Sequence, residues 1–346
     1  MTLRDGARPE QVAARLLQGD RRALARAITC LEDGGEAARE LLALVYPHGG
    51  HAHVVGVTGA TGTGKSTLVN ALACRYRQRG LTVGILAVDP TSPFTGGALL
   101  GDRLRMRDLA GDEGVFIRSM ATRGASGGVS RVAADAAQAL DAAGYDRIFI
   151  ETVGAGQDEV EIGRLAHTVI VVEAPGLGDE IQAIKAGILE TANVLVVNKA
   201  DREGAEQTMA ALRMMLELAD SNPSSVTHHG TVMAVAAPSQ APRPGSWQPP
   251  LLSTVATEGR GADAVLDAIE SHREYLAESG QRAAVEMRRA EAQLNSALEA
   301  ALRRLLSERA GPAAYRQALE RVLGRSSDPH TAAKWLTEQL CGRPEG

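Results

Sequence analysis

Along the first 47 residues apolar positions recur at helical spacing. Val12, Leu16, Leu24, Ile28 and Leu31 fall on one stripe. Gly34-Gly35 interrupts it, and Ala37, Leu41, Leu42 and Val45 resume it. A period near 3.6 predicts short amphipathic helices that bury one face. Residues 47–50, Pro-His-Gly-Gly, read as a linker. From residue 53 the pattern changes. Short apolar runs at 54–57, 83–88, 147–150, 168–172, 194–197 and 232–235 alternate with helical stretches. Runs this short and β-branched predict parallel strands buried on both faces, and helices between them give repeated βαβ units. The expected fold class is α/β, a doubly wound and mostly parallel sheet with helical extensions at both ends.

Residues 220–250 form a Pro- and Ser-rich loop around the run at 232–235. Beyond Gly259 the chain turns helical and charge-laced to about Glu308. Leu294, Leu298, Leu302 and Leu305 make a narrow apolar stripe there, which suits a partner helix or the parent domain better than a cofactor. The expected division is a helical extension over 1–50, a nucleotide-binding domain over 51–262 and a helical region over 263–346. No internal repeat is visible.

Composition narrows the class. The chain has 346 residues, 44% of them hydrophobic and 23% charged, so it can bury a core and stay soluble. Only 3% are aromatic, so that core rests on Leu, Val, Ile and Ala. The net charge is −5 and the basic residues are scattered, which argues against a nucleic-acid partner. Arg288-Arg289 and Arg303-Arg304 read as solvated helix faces. Cys30, Cys74 and Cys341 are far apart and form no CxxC pair, which points to a reducing compartment and against a disulfide framework or zinc site. No 18-residue apolar run and no leader-type apolar segment is present, so the expectation is a cytoplasmic protein with no membrane partner.

The chemistry begins at Gly59, Ala60, Thr61, Gly62, Thr63, Gly64, Lys65 and Ser66, followed by Thr67. They fit G-x-x-x-x-G-K-[ST] between a predicted strand and a predicted helix. Glycines let the loop curl so that its N–H groups surround phosphates. Lys65 would meet the β- and γ-oxygens, the Ser66 hydroxyl would ligate Mg2+, and the helix N-terminus favours the anion. A chance Gly-rich loop is the bland alternative, and the strand and helix on either side argue against it.

Asp89, after the second run, lies at the carboxyl edge of the predicted sheet. It could touch magnesium, orient the attacking water, or merely cap a turn before Pro90. Glu151 ends the next strand, and Gly154 follows three residues on. That arrangement suits sensing of a γ-phosphate: the acid supports the metal through water and the Gly154 N–H reaches the phosphate. Glu in place of the commoner Asp fits a water-mediated contact. Asn198, Lys199 and Asp201 form N-K-x-D after the run at 194–197. A carboxylate accepts from N1–H and the 2-amino group of guanine, whereas adenine would leave it unpaired. Sites of this kind reject the wrong ligand by roughly 10⁴ or more. Lys199 would lie over the base and Asn198 would tie neighbouring loops together. GTP and GDP are the ligands expected.

Longer blocks carry a family resemblance. They include the helix at 19–28, the segment from Asp89 through Asp102 to Met106, residues 118–124 with Gly127-Gly128, the segment from Glu151 to Glu159, the segment from Pro175 through Asp179 and Lys185 to Gly187, residues 247–250 and residues 258–261. Together they resemble the MeaB-type G-protein chaperones of cobalamin-dependent acyl-CoA mutases, among them the methylmalonic aciduria type A protein; members have also carried the name arginine/ornithine transport kinase. The resemblance covers nearly the whole chain. It implies a P-loop NTPase of the SIMIBI type. It also implies that Asp89, Asp102 and Glu151 join Ser66 around Mg2+, and that Val255, Ala256 and Thr257 form the last base-contacting loop. Asp179 and Lys185 would belong to a switch that answers the mutase, with Lys185 approaching the nucleotide once that partner docks. The catalytic set implied is Lys65, Asp89, Glu151, Gly154 and Lys185. The C-terminal helices would make a homodimer. The implied role is gating delivery of adenosylcobalamin to a mutase such as methylmalonyl-CoA or 2-hydroxyisobutyryl-CoA mutase, and protecting or reactivating it, with an adenosyltransferase as a further partner. Thr61 stands where proline is common, and Val255 where serine is common, which puts a side-chain hydrogen bond in doubt rather than the base identity.

Rivals come from other classes. His48, His51 and His53 suggest a metal-insertion GTPase, but three His without Cys read better as linker residues, as do His228-His229. A P-loop small-molecule kinase is opposed by N-K-x-D. A binding scaffold with incidental hydrolysis is the third. No side chain is an obvious general base, so hydrolysis by the chain alone is expected to be slow and stimulated by the partner mutase.

Overall fold

The computed structural model describes residues 6–90, 109, 111–122, 128–152, 158–176, 191–221, 246–309 and 311–341. Asp102, Gly154, Asp179, Lys185, His228, His229 and the expected strand at 232–235 lie outside them, as does the side chain of Asp89. The chain divides into two compact units, Met1–Arg289 and Ala290–Gly346.

The first unit opens with helices α1 (Pro9–Leu16), α2 (Arg21–Asp33) and α3 (Gly35–Val45). The Asp20 carboxylate accepts the Arg22 and Ala23 amides and so caps α2. Among the described residues a seven-stranded parallel sheet follows: β1 (His53–Thr58), β2 (Val83–Pro90), β3 (Val115–Thr122), β4 (Arg147–Thr152), β5 (Thr168–Glu173), β6 (Val194–Asn198) and β7 (Leu251–Thr254). The strand order is β3-β2-β4-β1-β5-β6-β7. Helices α4 (Lys65–Gln78), α5 (Gly128–Ala142), α6 (Asp158–Leu165), α7 (Ala205–Ser221) and α8 (Ala262–Glu278) connect or follow the strands, and α9 (Gln281–Arg309) comes next.

Side chains alternate across each strand. Val54, Leu86, Ile148 and Ile150 therefore join the core beneath α2, α3, α5 and α6. Val55, Val57, Ile85 and Phe149 join the opposite core, with Leu68, Leu72 and Tyr76 of α4 and Val265 and Ile269 of α8. Both faces are covered, which is why the central strands read as unbroken apolar runs. β1 sits in the middle with β4 and β5 beside it, and the register sets Val57 against both Glu151 and Ile170. This places the carboxyl ends of β1 and β4 side by side.

Two strands were not expected. β3 and β7 form the two edges of the sheet. Arg118 of β3 binds Glu32 and Thr29 of α2, so a strand interrupted by polar residues is held by the helical extension. His53 is a further correction. It opens β1 and is buried, while His48 and His51 are exposed linker residues. Arg289 is the other: its side chain is only 16% exposed, and it donates to the Leu165 carbonyl and to Glu286 rather than facing solvent.

The second unit holds the remainder of α9 with α10 (Gly311–Leu323) and α11 (Pro329–Cys341). Arg321 lies 4.7 Å over the Trp335 ring and joins these last two helices. Leu294, Leu298, Leu302 and Leu305 are all exposed along α9. Among the described residues no helix is long and apolar enough to cross a membrane.

Candidate nucleotide site

The loop between β1 and α4 winds through three glycines with positive φ, Gly59 at 136°, Gly62 at 84° and Gly64 at 93°. Gly64 caps α4, so Lys65 and Ser66 occupy its first turn. That places their amides at a helix N-terminus, where anions are favoured. Thr63 is buried and its hydroxyl donates to the Ala60 carbonyl, bracing the loop from within. Lys65 is buried too and donates to the carbonyls of Gly59 at 2.7 Å and Ala60 at 2.9 Å. The ammonium thus lies folded over the loop that would receive phosphates. Thr61 is exposed and Thr67 half-buried.

The Ser66 hydroxyl donates to Glu151 Oε1 at 2.5 Å, and both residues are buried. A carboxylate 5% exposed at the end of β4, beside a hydroxyl on the loop helix, is a hard oxygen pair. Such donors fit Mg2+, which favours few carboxylates and keeps its waters. The next residue, Thr152, donates to the Thr58 hydroxyl at 3.1 Å and ties the end of β4 to the root of the loop. The backbone of Asp89 lies near the end of β2, paired with Ala121 of β3.

A second cluster gathers at the ends of β6 and β7. Asn198 is 2% exposed. Its Nδ2 donates to the Thr63 carbonyl at 2.8 Å, while its Oδ1 accepts from the Thr254 hydroxyl at 3.0 Å and the Ala256 amide at 3.1 Å. One side chain therefore joins the phosphate-type loop to the loop holding Val255, Ala256 and Thr257. Lys199 sits at φ 58° and donates to the Gly62 carbonyl at 2.5 Å, so its stem spans the same gap. Val255 and Ala256 are buried, and Thr257 and Asp201 are exposed. The structure thus brings Gly59 through Ser66, Glu151, Asn198, Lys199 and the 255–257 loop to one edge of the sheet, the edge where ligands of such folds sit.

Thr254 was missed by sequence reasoning. Its position two residues before Ala256 carried no motif, because β7 is only four residues long and directly follows the Pro- and Ser-rich loop. Thr254→Val is expected to weaken nucleotide binding by a few-fold, about 1 kcal/mol for one lost neutral hydrogen bond. Equilibrium titration with a fluorescent guanine nucleotide checks this.

Comparison with known proteins places the chain in a family. The family model for the methylmalonyl-CoA mutase-associated GTPase MeaB matches residues 24–310. The chain is 42% identical over 334 residues to a Pyrococcus horikoshii protein named "Putative GTPase PH0274", covering 96% of this chain and 99% of that one. It is 35% identical over 329 residues to GTPase ArgK of Escherichia coli, covering 94% of each. A crystal structure titled LAO/AO transport system kinase matches with a TM-score of 0.66 at 28% identity, covering 96% of this chain and 98% of that one. With a phosphate-type loop at the centre of a parallel sheet and relatives named as GTPases along nearly its whole length, the chain is a P-loop GTPase and belongs to the MeaB family.

Proposed function

We propose that this GTPase binds GTP and GDP with Mg2+ and acts as chaperone to an adenosylcobalamin-dependent acyl-CoA mutase. The observation that carries the nucleotide reading is the Asn198 bridge, which ties the loop of Lys65 to the loop of Ala256. In this reading the amides of residues 59–67 cradle the phosphates, and Lys65 leaves its two carbonyl acceptors to meet the β- and γ-oxygens. Ser66 and Glu151 would hold the metal, with Asp89 and Asp102 completing the set. Bound Mg2+ would offset the charge of the phosphates. Gly154 would report the γ-phosphate. Asp201 would read guanine, Lys199 would lie over the ring, and the 255–257 loop would contact the base mainly through backbone.

The family description names methylmalonyl-CoA mutase, and this supports the partner class. GTP then acts as a timing signal that gates cofactor delivery and protects or reactivates the mutase, with an adenosyltransferase as the donor of adenosylcobalamin. Lys185 and Asp179 would answer the docked mutase, and hydrolysis by the chain alone would be slow. The exposed leucines of α9 support pairing of two copies through the region 263–346. The scattered cysteines support a cytoplasmic setting.

The test is a pull-down from source cells with the chain loaded with a non-hydrolysable GTP analogue. A cobalamin-dependent acyl-CoA mutase subunit is expected among the retained proteins. Its absence in every nucleotide state would count against the chaperone role.

A further inference from the structure

The opposite edge of the sheet carries a buried polar layer that nucleotide chemistry does not use. His53 opens β1, His167 immediately precedes β5, and His272 lies on α8; all three are buried. The Thr168 hydroxyl stands between His53 Nε2 and His272 Nδ1, 2.8 Å from each. A hydroxyl gives one proton and accepts at its lone pairs, so it can bond two neutral rings at once, donating to one nitrogen and accepting from the other. The pair is therefore closed with both rings neutral.

The second half of the layer is more constrained. The Val54 amide donates to His167 Nδ1 at 2.8 Å. A backbone amide can only donate, so Nδ1 must present its lone pair and the ring proton must sit on Nε2. That nitrogen lies 2.8 Å from Glu286 Oε1 on α9. Arg289 of α9 stands beside the same nitrogen and donates to Glu286 Oε2 at 2.9 Å. A second proton on His167 would face the Val54 N–H and add positive charge next to Arg289. His53 stacks on His167 at 5.0 Å between centroids. It also faces Arg147 of β4 and Arg273 of α8, so charge there is opposed as well. Glu270 of α8 pairs with Arg147 and Arg273. On the far side His272 packs against Trp247 at 4.8 Å and Tyr275 at 6.2 Å. Arg282 of α9 adds positive potential at His167, while Glu286 works the other way.

We infer that His53, His167 and His272 form a proton-operated latch, which holds α8 and the first turns of α9 on the sheet at neutral pH and releases them in acid.

The sign follows from the rings' neutrality. Burial is the largest cause that holds all three below the ordinary value, and His272 is pushed down to about 4. Released imidazoles titrate near 6.5, so opening takes up protons. The latch is at full strength above about 6.5 and weakens as pH falls from there toward 4. Glu286 is held down at about 2, first by its hydrogen bond from His167, and so stays charged through that window.

Imidazole nitrogen NMR of the full chain tests this without a variant. At pH 6.0 His53, His167 and His272 are expected to remain neutral, with the His167 proton on Nε2. Between pH 6.5 and 4.5 the opening constant at Val54 and along α8, read by amide exchange corrected for intrinsic rates, should rise. The rise is about tenfold per pH unit for each proton taken up. β6 should not share it above global unfolding. Buried rings that take up a proton near the ordinary imidazole value of about 6.5, or protection at Val54 unchanged down to pH 4.5, would overturn the latch. His53→Gln with His272→Asn keeps a donor and an acceptor at the bonded atoms but takes up no proton. Reduced acid release is expected in the double variant, and release as steep as in the parent would also overturn the proposal. Should the double variant fail to fold, the parent's NMR titration decides alone.

Discussion

Asp201→Asn is expected to erase a guanine-over-adenine preference of roughly 10⁴ while leaving the fold intact. The carboxylate is exposed at the start of the loop after β6, so its loss from the free protein removes no packing. A surface change of this kind usually shifts stability by no more than about 0.5 kcal/mol. In the proposed complex the same carboxylate accepts two N–H donors from guanine, and an amide can accept at its oxygen but sets an N–H against the second donor. The clash of donors costs more than the missing bond, because the group left over has also lost water. The logic runs in reverse for xanthine, whose C2 carbonyl accepts what the asparagine amide offers. Titration of parent and variant with GTP, ATP and xanthosine triphosphate should show GTP affinity falling and xanthosine triphosphate affinity rising, at unchanged Tm. A variant that still prefers GTP would remove Asp201 from base recognition.

Gly59→Ala is expected to cost the fold about 2 to 6 kcal/mol, from backbone strain together with overpacking. Gly59 sits at φ 136°, where a side chain is strained whatever the space. A Cβ there would lie 2.0 Å from the Val172 carbonyl oxygen of β5. That neighbour is strand backbone and cannot swing away, so β1 and β5 would have to part just beneath the loop. Gly62→Ala separates the two causes: its φ is 84° but a Cβ would meet nothing within 4 Å. It should lose only the strain, about 1 kcal/mol. Denaturant midpoints for the two variants should therefore differ clearly, and equal losses would show that crowding against Val172 contributes little.

The central sheet was legible because its strands are covered on both faces. Val55 and Phe149 serve one core while Val54 and Ile148 serve the other, so no polar position breaks the run. The edge strands hid for the complementary reason. β3 carries Arg118 and Ser119 in mid-strand, and Arg118 is satisfied by Glu32 far away in sequence. β7 has four residues, too few for any period. At the site, Gly59 through Ser66 and Asn198 through Asp201 were readable because their chemistry needs fixed residue types at fixed spacing. Thr254 was not, since a hydroxyl that orients an amide across 56 positions leaves no local pattern. The histidine layer escaped for the same reason. His53 looked like linker because its partners, Thr168 and His167, belong to a later strand and the residue before it.

GTP as a timing signal read by a mutase is the central claim, and one measurement addresses it directly. GTP turnover by the purified chain should be followed with and without an adenosylcobalamin-dependent acyl-CoA mutase from the same source, with every phosphate-bearing product identified. The expected result is slow hydrolysis alone, GDP and inorganic phosphate as the only products, and a rise of about tenfold or more once the mutase supplies the closed site. Phosphate transferred to an acceptor molecule, or turnover indifferent to every such mutase, would contradict it.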